Sequence, residues 1–198
     1  AMPAIQAEQG LVSGVLPLTP AQHWLFEQQL SEPHHWNQSL MVTMSEAPDQ
    51  PRLARALRTV IERHDALRTR FDLSNGPTAR IEAIVPCGDL LSSVDLSRVS
   101  DQELAAAVSN EAERYQQSLN LEQGPLFRAV LFDLGPNRPV RLLLIAHHLV
   151  VDGVSWRLLL EDLERAYGVE QGGQPVFPPK TTSIKQWTES AQALAESG

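Results

Sequence analysis

The chain has 198 residues, 42% of them hydrophobic and 20% charged, which suits one globular domain with a substantial core. Its net charge of -8, with no Lys/Arg cluster, argues against a nucleic-acid binder. The single cysteine, Cys87, excludes a disulfide framework and a thiolate zinc site and suits the cytoplasm, and no apolar run is long enough to span a membrane.

The opening Ala1-Met2 reads as an expression scar, no secretory signal pattern is visible, and the weakly periodic residues 3–15 read as a leader. "LPLTPAQHWLFEQQL" then predicts a helix start. Thr19 caps it, Pro20 takes the first helical position and Gln22 completes a Thr-x-x-Gln capping box. "NQSLMVTM" alternates Leu40, Val42 and Met44 as a strand does. "PRLARALRTVIERHDAL" places Leu53, Leu57, Val60 and Ile61 on one helical face. "LRTRFDLSNGPTARIEAIV" predicts two strands joined around Asn75-Gly76. "SDQELAAAVSNEAERYQQSL" predicts a helix with a Ser100–Glu103 capping box and an apolar stripe of Leu104, Val108, Ala112, Tyr115 and Leu119.

Two nearly continuous apolar runs follow, "LFRAVLFDL" and "VRLLLIA", separated by "GPNRP". They predict neighbouring antiparallel strands at the centre of a sheet. "GVSWRLLLEDLERAY" is an amphipathic helix ended by Gly168. The Pro/Gly-rich "GGQPVFPPKTTS" is a loop, and "IKQWTESAQALAES" starts one more helix. The fold class is α/β (α+β), a mixed, mostly antiparallel sheet with helices packed on it.

One stretch concentrates chemistry. The apolar strand "RLLLIA" runs into His147 and His148, and Asp152 and Gly153 open the next helix. Strand alternation sends the two rings to opposite faces, so one at most enters a given cleft. The glycine permits a tight backbone turn. Satisfied core histidines beside an N-cap aspartate are one reading of this pattern, and a catalytic site is another. A metal site fits poorly, because His-His-x-x-x-Asp lacks the helical His i, i+4 spacing and no third ligand is evident. Ser155 lacks the Gly-x-Ser-x-Gly setting of a nucleophile and reads as a first-turn helix residue.

"HHLVVDG" resembles the His-His-x-x-x-Asp-Gly signature of the condensation-domain superfamily of nonribosomal peptide synthetases. "RHDALRTRF" (Arg63 to Phe71) and "LPLTPAQHWLFEQ" resemble two further motifs of that superfamily, in the same order. The resemblance runs from about Leu16 to the end. "DGVSWRLLLEDL", "HHWNQS" and "PPKTTSIKQW" are similar to the epimerization branch, with Trp36, Trp156 and Trp187 in register. Each tryptophan alone also reads as a core aromatic.

The resemblance implies a chloramphenicol-acetyltransferase-like lobe over residues 16–198, the N-terminal lobe of a two-lobed domain whose C-terminal lobe is absent. It implies that His148 faces the reaction channel as the acid–base group and that His147 orients the turn. Asp152 is expected to pair with Arg68, or less favourably with Arg63, to hold the loop. The implied substrate is an aminoacyl or peptidyl thioester on the 4'-phosphopantetheine of a peptidyl carrier protein, with no cofactor or metal bound by the lobe itself. Implied partners are that carrier, the second lobe, which supplies an opposing glutamate, and neighbouring synthetase domains, with neither nucleic acid nor membrane. A condensation domain joining two carrier-bound substrates, and a non-catalytic carrier-docking module, are the alternatives.

Overall fold

The computed structural model describes residues 7–84, 90–170 and 173–197, so Cys87 and the first six residues lie outside the described part. Seven strands form two sheets among these residues. The larger sheet has the order β2 (Asn37–Thr43), β7 (Arg141–His147), β6 (Phe127–Asp133), β5 (Leu91–Asp95). β2 and β6 flank β7 antiparallel, as the two apolar runs predict for β6 and β7, while β5 joins β6 in parallel. The smaller sheet, β1 (Gly14–Leu16), β4 (Thr78–Ile81), β3 (Thr69–Asp72), is antiparallel throughout. Gly76, at φ 94°, makes the turn from β3 to β4, which favours a residue without Cβ.

The continuous apolar runs are explained by burial on both faces of the larger sheet. Phe127, Ala129, Leu131, Leu142, Leu144 and Ala146 join the main core with α2 (Gln50–Arg63) and α4 (Gly153–Gly168). Val130, Phe132, Leu143 and Ile145 point the other way, into a second cluster with Val108 of α3 (Asp101–Gln116). α2 presents the predicted Leu53, Leu57, Val60 and Ile61 to the core. α1 (Pro20–Glu27) carries the Thr19–Gln22 capping box, and α5 (Ile184–Glu196) closes the described chain. No described helix is long and apolar enough to cross a membrane.

Two expectations are corrected. Residues 12–15 are not leader: Val12 is buried in the core, and Gly14 and Val15 pair with β4. A strand of three residues is too short to show a periodicity. Ser100 caps α3, but its hydroxyl donates to Glu103 Oε2 at 2.6 Å and accepts no backbone N–H, so the second capping box is incomplete. The expected fold class, mixed and mostly antiparallel with helices packed on it, stands, with the strands divided between two sheets because β3 and β4 join β1 and not the central strands.

Candidate active site

β7 delivers both histidines to the same end of the larger sheet, in different environments. His147 is its last residue and is fully buried. Its Nε2–H donates to Pro33 O at 2.8 Å, and its Nδ1 accepts the Leu149 N–H at 3.2 Å. Both nitrogens are satisfied only if the ring is neutral. Burial pushes its pKa down to about 4.

His148 begins the turn after β7 and is half-buried. Its N–H donates to Trp36 O at 2.8 Å, and its ring lies against the Trp36 indole with centroids 4.6 Å apart. Nδ1 is 3.0 Å from Val151 O, and Nε2 is 3.0 Å from the Gln38 amide nitrogen. Trp156, buried in the first turns of α4, donates its indole N–H to Gln38 Oε1 at 2.9 Å. The two rings have different hydrogen-bond partners, and the Trp36 indole lies near both. Ala146 faces the α4 side, and Gln38, its register partner on β2, reaches His148 and Trp156 there.

The turn is tied to α1 as well. Gln22, almost fully buried, accepts the Thr19 N–H in the capping box and donates its amide to Leu149 O at 3.2 Å. One glutamine thus starts a helix and anchors the histidine turn. Reading Gln22 as a cap residue misses this second role, which no local pattern signals. Trp36 and Gln38 both stand in "HHWNQS", but their contacts with His148 require the β2–β7 register to be known.

The Asp152 pairing is overturned. Asp152 is exposed at the N-cap of α4, accepting the Ser155 N–H at 2.7 Å and the Ser155 hydroxyl at 2.6 Å. Those bonds hold its carboxyl below the usual range. Arg68 is buried at the end of a 3-10 turn, where it bonds Asp65 and the carbonyls of Ile61, Val12 and Glu82. Asp65 is three residues away in the same turn, so Arg68 finds its carboxylate locally. Arg63 is also engaged elsewhere. It donates to Asp162 of α4 at 2.8 Å, with His64 on the same oxygen at 2.9 Å, and this cluster ties α2 to α4. Gly153 has no left-handed φ, and a Cβ there would meet nothing within 4 Å, so the turn itself does not require glycine. The reading of Asp152 as an N-cap stands.

A hollow of about 760 Å³ lies elsewhere, beside Leu16, Pro20, His23, Glu189 and the half-exposed Trp187. Among the described residues no three His, Cys, Asp or Glu side chains converge as metal ligands. The half-buried His148 ring is held by Gln38, Val151 and Trp36.

The family model described as "Condensation domain" matches residues 12–198. A linear gramicidin synthase of Brevibacillus parabrevis is 46% identical over 195 residues, which is 98% of this chain and 4% of that synthase chain. Among solved structures, the epimerization domain from the third module of tyrocidine synthetase B superposes with a TM-score of 0.87 at 35% identity, over 97% of this chain and 42% of that one. The starter condensation domain of rhizomide synthetase, in a mutant complex with C8-CoA, superposes with a TM-score of 0.75 at 29% identity, over 92% of this chain and 42% of that one. The chain thus spans less than half of each of these proteins.

Proposed function

This chain belongs to the condensation-domain family found in nonribosomal peptide synthetases, and we propose that it is the N-terminal lobe of an epimerization domain. The observation that carries the reading is the closer likeness to the tyrocidine epimerization domain than to the rhizomide starter condensation domain, 0.87 against 0.75 in TM-score and 35% against 29% in identity. On this reading residues 12–198 form the lobe, and a second lobe packs over the face that exposes His148.

The substrate is an L-aminoacyl or peptidyl thioester carried on the phosphopantetheine arm of a carrier protein. The C8-CoA complex of the rhizomide domain supports an acyl thioester of this chemistry, since coenzyme A ends in the same arm. The thioester acidifies the Cα–H. His148 Nε2 takes that proton: the Cα–H bond breaks, an N–H bond forms, and the electron pair moves into the thioester carbonyl as an enolate. A group of the second lobe returns a proton to the opposite face. An imidazole suits either direction near neutral pH. Asp152 and Arg68 support the site indirectly, the first by starting α4 and the second by pinning the segments around Val12, Ile61 and Glu82.

His148→Ala in the two-lobe domain is expected to lower epimerization about a hundred- to ten-thousand-fold. Circular dichroism and the melting midpoint should stay near wild type, because the ring is only half-buried. Turnover within a few-fold of wild type in a folded His148→Ala protein would remove His148 from the chemistry.

A further inference from the structure

We propose that Gln38 is a positioning residue that fixes the tautomer of His148, and that the Trp156 indole fixes the orientation of Gln38. The inference rests on the reading of His148 as the acid–base group but concerns a property measurable without catalysis.

The starting point is which groups can only donate and which can only accept. An indole N–H is a donor with no lone pair to offer, so the Gln38 atom 2.9 Å from it is the amide oxygen. The other end of the same amide, its NH2, therefore faces His148 Nε2 at 3.0 Å. At the far side of the ring, the Val151 carbonyl 3.0 Å from Nδ1 can only accept. Nδ1 must carry the proton, and Nε2 must present its lone pair. The three bonds run in one direction: Trp156 N–H to Gln38 oxygen, Gln38 N–H to His148 Nε2, His148 Nδ1–H to Val151 oxygen. His147 is wired the opposite way, with its proton on Nε2 and its lone pair on Nδ1. The two adjacent rings are thus held in different tautomers by different partners.

A base must offer a lone pair at the nitrogen that meets the substrate. Gln38 keeps that lone pair on Nε2 but also occupies it at 3.0 Å, so the amide must move aside before Nε2 can take the Cα proton. Once Nε2 has taken the Cα proton, it and a returning Gln38 NH2 would be two donors face to face, so the amide no longer holds the ring there. Trp156 sits at the centre of this arrangement because without its N–H the Gln38 amide is free to turn over and offer its oxygen to Nε2–H.

The test is a long-range ¹H–¹⁵N spectrum of the ¹⁵N-labelled 198-residue chain, recorded above the ordinary imidazole range so that the rings are neutral. His148 is assigned by its loss in His148→Ala. Wild type should show His148 with a protonated Nδ1 and a bare Nε2. Gln38→Glu keeps an acceptor for Trp156 and places a second acceptor against Nε2, so Nε2 should become protonated, alone or together with Nδ1, which still faces the Val151 carbonyl. Gln38→Ala leaves that carbonyl in place and should let a minor Nε2–H population appear beside the Nδ1–H form, and so should Trp156→Phe, which removes the N–H and retains an aromatic ring. His147 should keep its Nε2–H signature in all of these, which separates a local effect from unfolding. A bare His148 Nε2 in a folded Gln38→Glu protein would overturn the proposal, as would a wild-type His148 already protonated on Nε2. If either Gln38 variant fails to fold, Trp156→Phe decides by the same signal. Failure of His148→Ala to affect epimerization would sink the functional reading and leave the tautomer result intact.

Discussion

Substituting His147 by Gln tests whether the first histidine of the pair is a neutral core group. The ring is fully buried and has a folded-state pKa of about 4 against 6.5 for a free imidazole. The depressed value means that its contribution to stability is complete above about 6.5 and is lost as pH falls toward 4. From about pH 7 to about pH 4.5 the unfolded ring takes up its proton while most folded rings do not. This single group then removes about 2–3 kcal/mol from the folding free energy. The physical reason is burial, and the geometry agrees: a protonated Nδ1 would face the Leu149 N–H, donor against donor. His147→Gln keeps a donor and an acceptor but does not titrate in this range. Urea unfolding of both proteins at the two pH values isolates the ring from the carboxylates, which titrate in each. The variant should be less stable at about pH 7, by about 1–3 kcal/mol, from imperfect replacement of two buried hydrogen bonds. It should lose about 2–3 kcal/mol less than wild type on acidification. Equal acid losses in the two proteins would show that His147 is not held neutral by the fold.

The contrast between Arg68 and Asp152 tests the corrected pairing. Arg68→Met leaves three carbonyls without their donor and the buried Asp65 carboxylate with only Lys180 at 3.5 Å, and should cost about 3–5 kcal/mol, whereas Asp152→Ala removes an exposed N-cap and should cost about 1 kcal/mol. Similar losses from the two, with no additivity in the double variant, would restore the pair. Gly124→Ala should destabilise by about 1–3 kcal/mol, because Gly124 has φ 74° and its missing Cβ would fall against the Arg70 guanidinium. A thermal melt unchanged by that substitution would contradict this packing.

How much is legible in the sequence depends on whether the signal is local. β6 and β7 show themselves because a strand covered on both faces must be apolar throughout, and Thr19–Gln22 shows itself because a capping box is complete within four residues. β5 does not, since "LSSVD" is a half-exposed edge strand whose serines hide the alternation. Strand parity separates His147 from His148, and the two rings do take different hydrogen-bond partners. The partner of Arg68 is not readable. Several carboxylates lie within reach of any buried arginine, and the motif that joins Arg68 to Asp152 by resemblance says nothing about Asp65 in the same turn. Gln38 lies in plain view inside "HHWNQS", but its role depends on pairing with a strand more than a hundred residues downstream.

The central claim is that the domain to which this lobe belongs breaks a Cα–H bond. The direct measurement is deuterium incorporation at Cα when the upstream carrier, loaded with an L-aminoacyl group, meets the two-lobe domain in deuterated water with no acceptor present. The account predicts deuterium at Cα and a mixture approaching D and L forms, both lost in His148→Ala. No deuterium, together with amide formation once an acceptor-loaded carrier is added, would make this a condensation domain and contradict the account.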